Sequence, residues 1–171
     1  HVNKAFGSKD RFINIVKKLS KDNNLIFKTR KKQWFPPEIK QYAKEILEDG
    51  DVMFPTTISS LLPKTHTTIM FQSSGLYEVV YGGNYVINIE IPMNRWSWDQ
   101  SNMREYFSTQ EDSLYNSNGV VKSVTQEQVL SENFSITNEL DNNARLQWIK
   151  KFIGVSPDNS NKLIVNEILV T

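Results

Sequence analysis

Near residue 52 the hydrophobic pattern of this chain changes from a mainly helical repeat to a mainly strand repeat, and no other feature restricts its fold class as strongly. Before the change, Phe12, Val16 and Leu19 recur at i, i+4 and i+7, with Ile13 and Ile15 beside them. That spacing predicts an amphipathic helix over 10–20, with Asp10 as its cap. Leu25-Ile26-Phe27 reads as a short buried strand that runs into the basic stretch 28–32. Pro36-Pro37 suits a first helical turn, where a missing N–H costs nothing. Ile39, Tyr42, Ala43, Ile46 and Leu47 then line one face as far as Gly50, which predicts a second helix.

After residue 52 the pattern is that of strands. Residues 67–71 are β-branched and apolar, and 77–81 and 85–91 follow with Gly82-Gly83 between them, which reads as a hairpin turn. Tyr85, Ile87, Ile89 and Ile91 alternate with Asn84, Asn88 and Glu90, the signature of a half-buried strand that Pro92 stops. Residues 94–119 read as irregular. Strands are expected again at 119–124, 127–130 and 133–137, then a helix over 140–153 and a closing strand over 162–170. Helices first and strands later imply an α+β domain with small mixed, mainly antiparallel sheets. The 171 residues are expected to form one domain, with 1–24 as a helical N-terminal extension.

Composition removes several function classes. Zero cysteines exclude a disulfide scaffold, a thiolate metal site and a cysteine nucleophile. Two histidines, His1 and His66, give poor support to a multi-histidine zinc site or a two-histidine ribonuclease, and no metal is expected. No apolar run approaches the length of a membrane span. Residues 1–24 carry five lysines and one arginine without a continuous apolar stretch, so no signal peptide is expected there. Residues 1–45 hold 12 Lys/Arg against 4 Asp/Glu, and the remainder holds 8 against 15. That basic quarter suits phosphate, nucleic acid or an acidic protein face, or simply a solvated helix face. No glycine-rich phosphate loop, histidine-pair metal motif or nucleophile elbow is present.

An ordered set of motifs is more informative. Leu25 to Thr29 leads to Arg30, and Phe35-Pro36-Pro37-Glu38-Ile39 follows. Phe71-Gln72-Ser73-Ser74 closes a strand, the segment Tyr81 to Pro92 forms the next, and Thr125-Gln126-Glu127 precedes Gln128-Val129-Leu130. In this order the chain resembles the mono-ADP-ribosyltransferase toxins, over about residues 25–137. The resemblance implies an NAD cleft between small sheets, flanked by the terminal helices, and transfer of ADP-ribose to a protein with release of nicotinamide. NAD would be a co-substrate held by Arg30, Ser73 and Ser74. The catalytic carboxylate would be Glu127, or Glu111 of the second Thr-Gln-Glu segment, 109–111. Lys28 directly after the aromatic, the missing threonine of the middle motif and Thr125 in place of an acidic or amide residue depart from the family pattern. A competing serine motif, Phe54 to Ser59, is disfavoured because Pro55 interrupts strand pairing.

The chemistry explains these residue types. Cleaving the nicotinamide–ribose bond passes through an oxocarbenium-like transition state, which a nearby carboxylate stabilises. A guanidinium bonds two pyrophosphate oxygens at once, and small hydroxyls brace it without filling the cleft. Tyr77, Tyr85 or Trp96 would offer a stacking surface. The implied setting is a secreted or translocated bacterial toxin or effector, monomeric, acting on a target protein in a host or competitor cell. Membrane insertion is not expected, nor is nucleic acid as a partner. Two alternatives stand beside it: a non-enzymatic interaction module with a basic N-terminal face, and a nuclease-type toxin using His66 with Lys64 and nearby threonines.

Overall fold

The computed structural model describes residues 2–29, 36–48, 58–92, 107–136 and 139–154. Two helices open the chain, α1 (Val2–Phe6) and α2 (Lys9–Ser20). The cap of α2 is Ser8, not Asp10: its hydroxyl accepts the Arg11 N–H at 3.0 Å, which satisfies one of the donors that a helix start leaves free. Phe12, Ile15, Val16 and Leu19 are buried along one stripe of α2, as the periodicity predicts.

The stretch expected as a second helix is instead a 3₁₀ turn, Pro37–Tyr42, followed by a strand. Strand β1 (Leu25–Thr29) pairs in parallel with β2 (Ala43–Glu48), with Phe27 opposite Ile46. Ladder pairing with β1 claims the residues that would have continued the helix, and Ile39 fills the core from the 3₁₀ turn.

The second sheet holds β3 (Thr67–Met70), β4 (Tyr85–Ile89) and β5 (Val121–Val124), in spatial order β3-β4-β5, and both pairings are parallel. This corrects the expected antiparallel arrangement. The cause lies in residues 76–81, which form helix α3 (Leu76–Tyr81) and not a strand. Leu76, Val79 and Val80 are spaced i, i+3, i+4 and fully buried, so packing on the sheet overrides their strand preference. Gly82-Gly83 accordingly turns the chain from α3 into β4, with Gly83 at φ 90°. A β-α-β crossover, not a hairpin, joins β3 to β4.

Two further expected strands are absent from the places assigned to them. Residues 126–130 form helix α4 (Gln126–Leu130), started by a capping box in which Thr125 and Gln128 exchange side-chain bonds with each other's amides. Residues 131–136 carry no regular structure. The expected C-terminal helix is present as α5 (Asn142–Phe152), capped by Asp141. The expected strand over 162–170 lies outside the described residues.

The β3-β4-β5 sheet is covered on both faces. Tyr85, Ile87, Ile89 and Val124 pack with Phe12, Ile15 and Val16 of α2. Val86 and Val121 pack on the other side with Leu76, Val79 and Val80 of α3 and with Trp148 and Ile149 of α5. Hence all five β4 residues are buried, where the alternation predicted a half-buried strand. Sheets covered by helices on both faces are the ordinary setting of parallel strands. Among the described residues no helix is long and apolar enough to cross a membrane.

Candidate functional site

Because all three strands run the same way, Met70, Ile89 and Val124 bring their carboxyl ends to one edge. The next residues are Phe71-Gln72-Ser73-Ser74 after β3, Glu90-Ile91-Pro92 after β4 and Thr125-Gln126-Glu127 after β5. Ser73, Ser74 and Glu127, which the sequence motifs single out, therefore share that edge. With neighbouring strands about 4.8 Å apart, the serines and the glutamate leave from positions roughly 10 Å apart with β4 between them.

Gln72 shapes the β3 side. It is buried and holds a left-handed φ of 46°, a conformation most side chains avoid. Three hydrogen bonds fix it there. Its backbone N–H donates to Asn88 Oδ1 at 2.8 Å, and its side-chain amide donates to the Phe107 carbonyl at 3.3 Å. Its Oε1 accepts from the Ile91 N–H at 2.9 Å. The reversal at Gln72 turns the chain outward, so that Ser73 and Ser74 are exposed. Ser73 Oγ accepts the Gly75 N–H at 3.3 Å, which keeps this hydroxyl close to the start of α3.

On the β5 side, Glu127 is the second residue of α4 and its side chain is largely exposed. It forms an ion pair with Arg11 of α2. Arg11 Nε also donates to Gln126 Oε1 at 2.8 Å. Gln126 is buried, and its amide donates to the carbonyls of Ala5 at 3.2 Å and Glu90 at 3.3 Å. The backbone amide of Glu127 itself, followed by the Arg11 charge and hydrogen bond, holds the Glu127 carboxyl below the usual carboxylate range. The edge thus presents two hydroxyls, one ionised carboxylate and one guanidinium held by a buried amide.

The remaining sequence candidates lie elsewhere. Glu111 is exposed and lines a separate hollow of about 700 Å³ with Asn118, Lys122 and Glu139, next to Tyr85 and Val121, the first residues of β4 and β5. It is therefore not joined to the serines. His66 directly precedes β3, and its carbonyl accepts from Tyr85 N–H at 3.1 Å, at the opposite edge of the sheet from Ser73. The threonines near it serve the fold: Asn84 Nδ2 donates to Thr65 Oγ1 at 2.7 Å and to Thr68 Oγ1 at 3.3 Å. Tyr85 is buried in the sheet and offers no stacking face, and Tyr77, half-buried, packs on Trp148 with centroids 5.9 Å apart. Arg30, Trp96 and most of the competing motif, 54–57, lie outside the described residues. No group of His, Cys, Asp and Glu suited to a metal ion occurs among the described residues.

Arg11 and Gln126 were not legible as site residues. Gln126 lies inside the Thr125-Gln126-Glu127 motif, where an amide beside a carboxylate carries no signal of its own. The Thr125-x-x-Gln128 spacing signals a helix start, and it would have placed Gln126 and Glu127 at a helix entrance after a strand. Comparison with protein-family models, curated protein sequences and solved structures finds no match.

Proposed function

We propose that the chain binds a nucleotide-linked glycosyl donor at the carboxyl edge of the β3-β4-β5 sheet and transfers its glycosyl group. The ADP-ribosyl group of NAD is the donor that the sequence motifs favour. One observation carries this reading: Ser73-Ser74 and Glu127, far apart in sequence, leave the sheet at the same edge. In open parallel sheets flanked by helices, ligand-binding groups stand outside the carboxyl ends of the strands, most often where the strand order reverses. The sequential order β3-β4-β5 has no such reversal, and the shared edge alone supports the reading. The parallel topology replaces the mainly antiparallel sheets that the sequence pattern led one to expect. The proposal therefore rests on this edge and on the chemistry of its side chains.

The roles follow from that chemistry. Ser73 and Ser74 supply hydroxyl donors to the donor's phosphate or ribose oxygens. Glu127 remains ionised and stabilises positive charge as the glycosidic bond breaks. The acceptor implied by the motifs is a protein of a target cell, as for a secreted or translocated toxin or effector.

Calorimetric titration of the chain with NAD and with a nucleotide diphosphate-sugar, beside a nicotinamide-release assay, tests the proposal. Saturable binding is expected. Glu127→Gln is expected to lower turnover by about two orders of magnitude or more without weakening donor binding, because the carboxylate acts on charge that develops only in the transition state. The absence of saturable binding of any nucleotide would overturn the reading.

A further inference from the structure

We infer that Arg11, in the N-terminal helix outside the motif set, receives the donor's diphosphate, and that this exchange releases Glu127 for the reaction. The inference rests on the donor-binding reading above. Its starting point is the way the guanidinium is held. Arg11 Nε donates to Gln126, a side chain buried to 3% exposure and itself fixed by the carbonyls of Ala5 and Glu90. The orientation of the fork is set from beneath by a group that does not depend on solvent.

Arg11 is about one-third exposed and Glu127 about three-quarters, at 31% and 74%. Their ion pair is therefore open to water and to competing anions. An exposed pair of this kind contributes little to stability, so an anion of higher charge displaces the carboxylate readily. A diphosphate presents several oxygens to the planar fork and forms the stronger charge-assisted bonds. The bond to Gln126 persists through the exchange, so the cation stays in place while its anion changes. Phe71, two residues before Ser73, packs on Phe12, with ring centroids 6.4 Å apart. That contact packs α2, the helix that carries Arg11, against the segment that leads to the serine hydroxyls.

The pair engages a carboxylate that the reaction needs. Once the diphosphate takes Arg11, Glu127 loses its counter-ion and is free to face the cation forming on the sugar. Donor binding and release of the catalytic carboxylate from its counter-ion are thereby one event.

Calorimetry with ADP as the probe, and with adenosine as the phosphate-free control, separates this from a plain clamp between helices. Arg11→Gln is expected to weaken ADP about tenfold, the loss of one charge-assisted contact, and to leave adenosine unchanged. Glu127→Gln is expected to tighten ADP severalfold, because the guanidinium no longer has to leave a carboxylate. Equal ADP affinity in the parent and Arg11→Gln would overturn the inference and leave donor binding standing. Failure of the parent to bind ADP, NAD or a nucleotide diphosphate-sugar would remove both. If circular dichroism shows Arg11→Gln to be unfolded, Glu127→Gln decides, since it keeps the bond to Gln126. Unchanged ADP affinity in that variant overturns the inference.

Discussion

Single side chains at the carboxyl edge do different work although they are neighbours in sequence. Gln126 is buried and links three segments, whereas Glu127, one residue on, is largely exposed. Both Thr-Gln-Glu segments carry an acidic candidate, and in the sequence only the apolar residues that follow favour Glu127 over Glu111. What separates them is position: Glu127 follows a strand end and Glu111 lines a hollow by the strand starts. The depressed pKa of Glu127 gives a pH test with a definite sign. The small stability gained from its own backbone amide and from the Arg11 pair is fully present above the ordinary carboxylate pKa of about 4.3, and it is lost as pH falls through the lowered folded value. Solvent screening keeps this contribution small. A carboxyl carbon NMR titration is expected to find Glu127 below the ordinary value in the parent and closer to it in Arg11→Gln. An identical titration curve in the two proteins would mean that the pair does not form in solution.

Elements were legible where one period left no rival. The stripe Phe12, Val16, Leu19 allowed only a helix, and α2 is there. Residues 76–81 supported two readings: Tyr and Val favour strands, while Leu76, Val79 and Val80 also share one helical face. Burial between the sheet and α5 decided the matter, and the same choice turned a hairpin into a crossover and the antiparallel sheet into a parallel one. Arg145 completes that arrangement by donating to the Val80 carbonyl at 2.7 Å and to the Tyr81 carbonyl, which satisfies the end of α3. The short helix α4 depends on its cap in the same way. Thr125→Ala removes the acceptor of the Gln128 N–H and is expected to cost about 1 kcal/mol, read as a lower midpoint in urea. It also loosens the turn that carries Gln126 and Glu127. An unchanged midpoint would mean that α4 is held by the packing of Val129 alone.

At the scale of the whole molecule, the N-terminal helices α1 and α2 share a hydrophobic core with the β3-β4-β5 sheet. Phe6, Phe12 and Phe71 meet with centroids 4.8 Å to 6.4 Å apart, and Ile87 and Ile89 lie in the same cluster. The sequence showed the apolar stripe of α2 but not its partner, because the contact between Arg11 and Gln126 spans 115 positions. Phe12→Ala is expected to destabilise the chain by about 3–5 kcal/mol and to speed hydrogen exchange at the Ile87 and Ile89 amides together with those of α2. Protection of β4 unchanged beside a frayed α2 would make the helices a separately folding appendage. Between the two apolar faces, Asn88 is the one side-chain amide of β4: it accepts from Gln72 N–H and donates to Ser123 Oγ at 2.7 Å. A strand greasy on both sides is nearly indifferent to slipping by two residues, since one aliphatic group replaces another. Asn88 breaks that indifference, because a slip in either direction strands its amide and both partners without hydrogen bonds. It acts as an indexing pin, and the alignment it selects is the one that brings the three strand ends level.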